Sequence, residues 1–107
     1  VFISGTASIN NKGEVVHVGN IVKQTERMWE NVGVLLEEGG ASFDDVMQII
    51  VYLRDVCDYP TVKEMFARRF PDTPKVITLA PVCRPTWLIE MECIAVKKRC
   101  NEKYRDF

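Results

Sequence analysis

The sequence predicts an α+β fold in which two helices cover one face of a mixed β-sheet. Three observations carry that expectation. The first and last apolar stretches alternate with period two, two segments repeat apolar residues at helical spacing, and residues 46–53 are apolar and β-branched almost throughout. At 107 residues, with 47% hydrophobic, 27% charged and 9% aromatic content, the chain has the size and composition of one soluble globular domain, here residues 1–107. Folding a chain of this length buries roughly two-thirds of its unfolded surface, enough for a core without metal or disulfide staples.

The elements follow in order. Val1, Ile3 and Gly5 alternate with Phe2, Ser4 and Thr6, Asn10 to Gly13 supplies turn chemistry, and residues 14–18 are expected to return as a second strand, making a hairpin. From Asn20 to about Glu38, Ile21, Met28, Val32, Leu35 and Leu36 share a helical face with Trp29 beside them, and Lys23, Glu26, Arg27 and Glu30 lie mostly opposite. Gly39-Gly40 stops that helix, because a left-handed cap favours a residue without a Cβ. Ser42, Asp44 and Asp45 make a short turn before a central strand, Val46 to Leu53. Asp58 and Pro60 open a second helix running to about Phe70, with Val62, Met65, Phe66 and Arg69 spaced by three or four, and Pro71 and Pro74 forbid its continuation. Two strands close the fold, about Lys75 to Leu79 and Trp87 to Val96, separated by the Pro-containing turn of residues 80–85.

The two faces of this sheet differ. In the last strand Trp87, Ile89, Met91, Cys93 and Ala95 suit a core, whereas Leu88, Glu90, Glu92 and Ile94 point the other way. In the middle strand Met47, Ile49, Val51 and Leu53 form the uniformly apolar side, and Val46, Gln48, Ile50 and Tyr52 the mixed one. A helix-free face carrying Val46, Ile50, Tyr52, Leu88 and Ile94 would expose a large apolar patch on a monomer, so an oligomer that buries it is expected.

Charge and composition remove several function classes. Fourteen Lys and Arg against fifteen Asp and Glu leave a net charge of -1, which argues against a duplex-binding basic face and against nucleic acid as a partner. No apolar run approaches the ~20 residues of a membrane span, and the opening VFISGTASI lacks the basic flank and long apolar stretch of a signal peptide. A soluble, cytoplasmic protein without a membrane partner is the expectation. The chain opens on a strand-like residue with no initiator Met, so further sequence is expected upstream. Cys57, Cys83, Cys93 and Cys100 show no spacing of two to four residues and His17 is the single histidine, so neither a metal site nor a Ser-His or Cys-His nucleophile is indicated; His17 reads as a solvated turn residue.

The candidate chemistry lies late in the chain. Glu90 and Glu92 project from one face of the last strand, roughly 6–7 Å apart at the backbone. Were another subunit to cover that face, lost solvation and mutual repulsion would favour the protonated form of at least one, which suits general acid–base work near neutrality; the alternative is pairing with Lys or Arg across the interface. Lys75 is an isolated cation entering a strand. Arg84 offers a planar fork that matches a carboxylate in two places, or is an exposed turn arginine. Cys83 beside Arg84 is a candidate nucleophile because a neighbouring cation favours the thiolate, although no base is legible beside it and a buried cysteine is the commoner state. Ser4-Gly5 inside the first strand marks either a close backbone approach to a ligand or a bulge. Trp29 and Trp87 suit core or interface packing and not base stacking.

These segments together resemble the YjgF/Rid family of reactive-intermediate deaminases. The resemblance rests on VFISGTASI, VGNIVKQTERMWENVGVLLEEGGASFDDVMQIIVYLRD, DYPTVKEMFARRFP and LIEMECIAV, almost the whole chain. Its carriers are Ser4-Gly5, Gln24-Thr25, Asn31, the run Gly39-Gly40-Ala41-Ser42, the strand end Val51-Tyr52-Leu53-Arg54-Asp55, and Ile89 to Ala95. The resemblance implies a chorismate-mutase-like α+β fold, a homotrimer, and clefts between subunits that bind a small carboxylate metabolite. It further implies hydrolysis of enamine or imine intermediates to 2-oxo acids and ammonia without cofactor or metal, with a glutamate of the last strand, here Glu90, positioning water. Counted back from Glu90, the family's carboxylate-binding arginine falls on Lys75, which keeps the charge and loses the bidentate fork, so anchoring is weaker and a binding trimer without catalysis is a second reading. Lys63 stands where the family often carries an asparagine, and the usual N-terminal segment with its tyrosine is absent from this sequence. The turn at residues 80–85 is similar to that of chorismatases, in which a cysteine or alanine precedes an acidic general acid by seven residues, as Cys83 precedes Glu90. That similarity implies a different reaction, in which Arg84 binds a carboxylate of a cyclohexadiene acid and Glu90 protonates it to expel pyruvate.

Overall fold

Apolar alternation in the strands and two apolar helix stripes are satisfied at once by a single mixed sheet with both helices on one side. In this computed structural model, which describes residues 1–97, the elements are β1 (Phe2–Thr6), α1 (Ile21–Glu38), β2 (Val46–Leu53), α2 (Tyr59–Arg69), β3 (Lys75–Leu79) and β4 (Ile89–Ala95). Cys100 lies outside the described residues. The strand order is β1-β4-β2-β3, with β2 and β3 parallel and the other two pairings antiparallel. Short 3₁₀ turns at Phe43–Asp45 and Val56–Asp58 precede β2 and α2. No helix among the described residues is long and apolar enough to cross a membrane.

The α1 boundaries follow from its caps. Asn20 Oδ1 accepts the Lys23 amide at 3.0 Å, and at the other end Gly40, at φ 77°, turns the chain while the Ala41 amide returns to the Leu36 carbonyl at 2.8 Å. Met28, Val32 and Leu36 of α1, Val62 and Phe66 of α2, Ile49, Val51 and Leu53 of β2, and Ile89, Met91, Cys93 and Ala95 of β4 make the core. Trp29 stands edge-on to Phe66 and Phe70, with ring centroids 5.2 and 5.8 Å apart, so aromatic packing ties the two helices together. Burial pushes the Cys93 thiol up.

Two expectations are corrected. Residues 14–18 do not form a strand: one isolated bridge, Ile9 to Val15, replaces the hairpin ladder. The backbone contact is confined to that bridge, with the Asn10 amide donating to the Glu14 carbonyl at 2.9 Å and the Val16 amide to the Ser8 carbonyl at 3.1 Å, while on the opposite edge Asn31 of α1 donates to the Ala7 and Ile9 carbonyls at 2.9 and 3.1 Å and Arg27 Nε donates to Ile9 at 3.1 Å. His17 sits exposed in this segment at φ 61°. The start of β2 also differs, because its register against β4 shifts between Val46 and Gln48. That bulge turns Val46 into the core and leaves Met47 58% exposed, the reverse of a strict alternation.

Candidate functional site

Glu90 stands half-buried on the helix-free face of β4, opposite Tyr52 of β2. Its position depends on a second bulge. β1 pairs Ile3 with Cys93 and Thr6 with Met91, so Ser4 and Gly5 share the space of one residue. The displaced backbone brings Gly5 so close to Glu90 that a Cβ there would lie 2.5 Å from Oε1. A side chain at position 5 would therefore displace the carboxylate, and the bulge reading of Ser4-Gly5 describes this segment, with the Glu90 side chain packed against it. On its other side, Oε1 lies 3.7 Å from Cys83 Sγ, which donates to it.

The segment that carries Glu90 is held from behind by Gln24, a fully buried polar residue of α1. Its Nε2 donates to the Thr86 carbonyl at 3.0 Å and the His17 carbonyl at 3.3 Å, while its Oε1 accepts the Leu88 amide at 3.0 Å. Sequence reasoning did not assign Gln24 this role. Its signal was a glutamine at a helix position otherwise surrounded by core residues.

Arg84 lies in the exposed turn before β4. One Nη1 hydrogen donates to the Gly13 carbonyl and the guanidinium stands over the Trp87 ring, 5.4 Å from its centroid. Arg54, at the exit of β2, lines the same recess of about 310 Å³ as Cys83 and Arg84, and was not singled out from the sequence as a site residue. Cys83 thus joins an arginine-lined recess to Glu90. Ser4 and Gly5 line a larger groove of about 510 Å³ between the β1 edge and α1, whose wall includes Asn31, Leu35 and Trp87.

Lys75 is not brought to this group within one copy. It pairs in register with Ile49, hence on the helix-covered side of the sheet, and its Nζ donates to the Phe70 and Thr73 carbonyls at 2.7 and 3.2 Å. The end of α2 therefore uses the charge that the family resemblance assigns to a substrate. Glu92, the other acid of the strand, accepts a 2.5 Å hydrogen bond from the Tyr52 hydroxyl. That bond first, then loss of water and the negative charges of Glu92 and Glu90, hold the Tyr52 phenol above its ordinary range. The two glutamates are chemically distinct: Glu92 is engaged with a phenol, and Glu90 faces a thiol at the mouth of a recess.

Comparison with known proteins bears on the family and the fold. Residues 1–97 match the family model described as Endoribonuclease L-PSP. The chain is 38% identical over 101 residues to a RutC family protein of Pyrococcus abyssi, spanning 92% of this chain and 79% of that one. It is 31% identical over 97 residues to the 3-aminoacrylate deaminase RutC of Acinetobacter baylyi, with 89% and 77% covered. The crystal structure of a candidate endoribonuclease from Thermotoga maritima superposes with a TM-score of 0.80 at 34% identity, over 92% of this chain and 79% of that one. The sheet with its two helices, the Ser4-Gly5 strand under the acidic β4, and these relatives lead to one conclusion: the chain belongs to the YjgF/Rid family, the family of the endoribonuclease L-PSP model.

Proposed function

We propose that this chain hydrolyses small carboxylate-bearing enamines or imines to oxo acids and ammonia, in a crevice that a neighbouring copy closes, with Glu90 as the group that moves protons. The observation that carries this reading is the wedged Glu90 carboxylate, one oxygen held between the Gly5 bulge and Cys83 at the mouth of a cationic recess. An enamine that takes a proton from solvent at carbon becomes an iminium. Water then adds its oxygen to the iminium carbon as Glu90 accepts a water proton; that proton passes to nitrogen, the C–N bond breaks to release ammonia, and the hydroxyl proton returns to solvent as the carbonyl forms. The balance closes with water alone. Arg84 supplies a guanidinium for the substrate carboxylate, and Lys75 can reach such a molecule only from a neighbouring copy.

The neighbouring copy is part of the proposal. Phe2, Val76 and Ile94 are 61%, 59% and 40% exposed on the helix-free side, an apolar surface that three copies meeting around it would cover, consistent with a homotrimer. The direct test is to generate 2-aminoacrylate or 3-aminoacrylate in the presence of the protein and follow release of oxo acid and ammonia. Acceleration over buffer that is lost in Glu90→Gln is expected. A wild-type rate equal to buffer removes the hydrolase reading, and saturable binding of oxo acids without turnover then identifies a binding trimer. Chorismate serves as the parallel substrate, because the Cys83 to Glu90 contact is the one feature that favours chorismatase-like chemistry.

A further inference from the structure

We infer that the recess formed by Arg54 and Arg84 binds both carboxylates of one small diacid, so that the compounds taken at this site are 2-imino or enamine derivatives of acidic amino acids and the matching 2-oxo diacids. This rests on the function proposed above for its location beside Glu90. Two guanidiniums line one recess of about 310 Å³, a volume suited to a molecule of this size. The ion pairs formed among the described residues are Arg27 with Glu30 and Arg68 with Glu64, so neither Arg54 nor Arg84 is neutralised by a carboxylate there. Two like charges on one small surface repel, and a ligand with one carboxylate relieves only half of that repulsion.

The recess is also built to receive rather than to adapt. Arg84 is fixed by its bond to the Gly13 carbonyl and by Trp87 beneath it, which leaves the remaining edges of its fork to a ligand. Arg54 leaves β2 where its amide is tied to the Leu88 carbonyl at 3.1 Å. Pro81 and Pro85 bracket the turn and restrict its backbone, lowering the entropy that binding would otherwise cost. Cys83 lines the recess and touches Glu90 Oε1, so a diacid held by both arginines presents its reacting carbon to the carboxylate that moves protons.

Titration calorimetry with two stable 2-oxo acids tests the inference without any turnover. The full chain is expected to bind 2-oxoglutarate at least tenfold more tightly than 2-oxobutyrate. Arg54→Gln and Arg84→Gln are each expected to bring that ratio near one, and Arg54→Lys to restore part of it. A wild-type ratio near one overturns the inference, as does a ratio that survives both glutamine variants. Inorganic phosphate provides the remaining arm: displacement of 2-oxoglutarate by phosphate as readily as by succinate shows a general anion hole and also overturns it. Because the readout is an affinity ratio, failure of the hydrolase reading, seen as absent ammonia release, is separable from failure of the diacid site.

Discussion

At the scale of single residues, Gly5 is the position where sequence and chemistry meet most tightly. Its backbone is not left-handed, so alanine is tolerated by conformation; what a methyl group meets is the Glu90 carboxylate, 2.5 Å from a built Cβ at Oε1 and 3.1 Å at Cδ. The obstructing atoms are the far end of a flexible side chain and can swing aside. Gly5→Ala is therefore expected to keep its melting temperature within a few degrees while oxo acid binding or turnover falls at least about tenfold, because the carboxylate has left its place. A calorimetric melt beside the activity assay checks both halves. Tyr52 offers a second measurement. Its raised phenol value means that the folded state prefers the protonated ring, so the associated stability is fully present below the ordinary tyrosine value of about 10 and is lost as pH rises through the folded value. The difference in phenolate absorbance between the native chain and Tyr52→Phe should show a midpoint above that value, and Glu92→Gln should lower it.

At the scale of elements, the helices and the central strands were readable because their signals are local. β2 and β3 run over the residues that β-branched composition selects, Val46–Leu53 and Lys75–Leu79, and α1 ends at its glycines. The bulge at the start of β2 was not readable and the one at Ser4-Gly5 was legible only as one of two readings, since an extra residue in a strand is decided by the register of its partner: Met47 and the Ser4-Gly5 pair take their directions from β4. The missing hairpin strand is likewise a matter of tertiary packing, because Asn31 and Arg27 of α1 hold the Ala7 and Ile9 carbonyls on the edge away from residues 14–16, whose own contact stops at one bridge. For the site, Glu90, Cys83 and Arg84 were legible as a spacing in sequence, whereas Arg54 and Gln24 reach the same region from β2 and α1, and only the packed fold reveals that. Gln24 carries the prediction for this scale. Gln24→Leu leaves the Leu88 amide and the His17 and Thr86 carbonyls without their buried partner, so stability measured by urea unfolding should fall by about 2–3 kcal/mol. A loss below about 0.5 kcal/mol would mean that water replaces the clasp.

At the scale of the whole molecule, the helix-free face is the surface on which the proposed assembly depends. Ile94 pairs in register with Phe2 on one side and Gln48 on the other, at the middle of the apolar surface. Ile94→Lys places a charge where copies are expected to meet, so sedimentation at micromolar concentration should change from a three-copy species to a single one, with the helical circular dichroism signal preserved. A native protein that already sediments as one copy contradicts the trimer. The position of β4 has a consequence of another kind. Among the described residues it is the last strand in sequence, yet it lies between β1 and β2, so neither of those two strands meets this neighbour until residues 89–95 have been synthesised. On the ribosome the flanks of Phe2–Thr6 and of β2 that β4 covers stay open while residues 7–88 emerge, exposed to wrong partners and to chaperones, and this sheet can lock only once residues 89–95 thread into the gap.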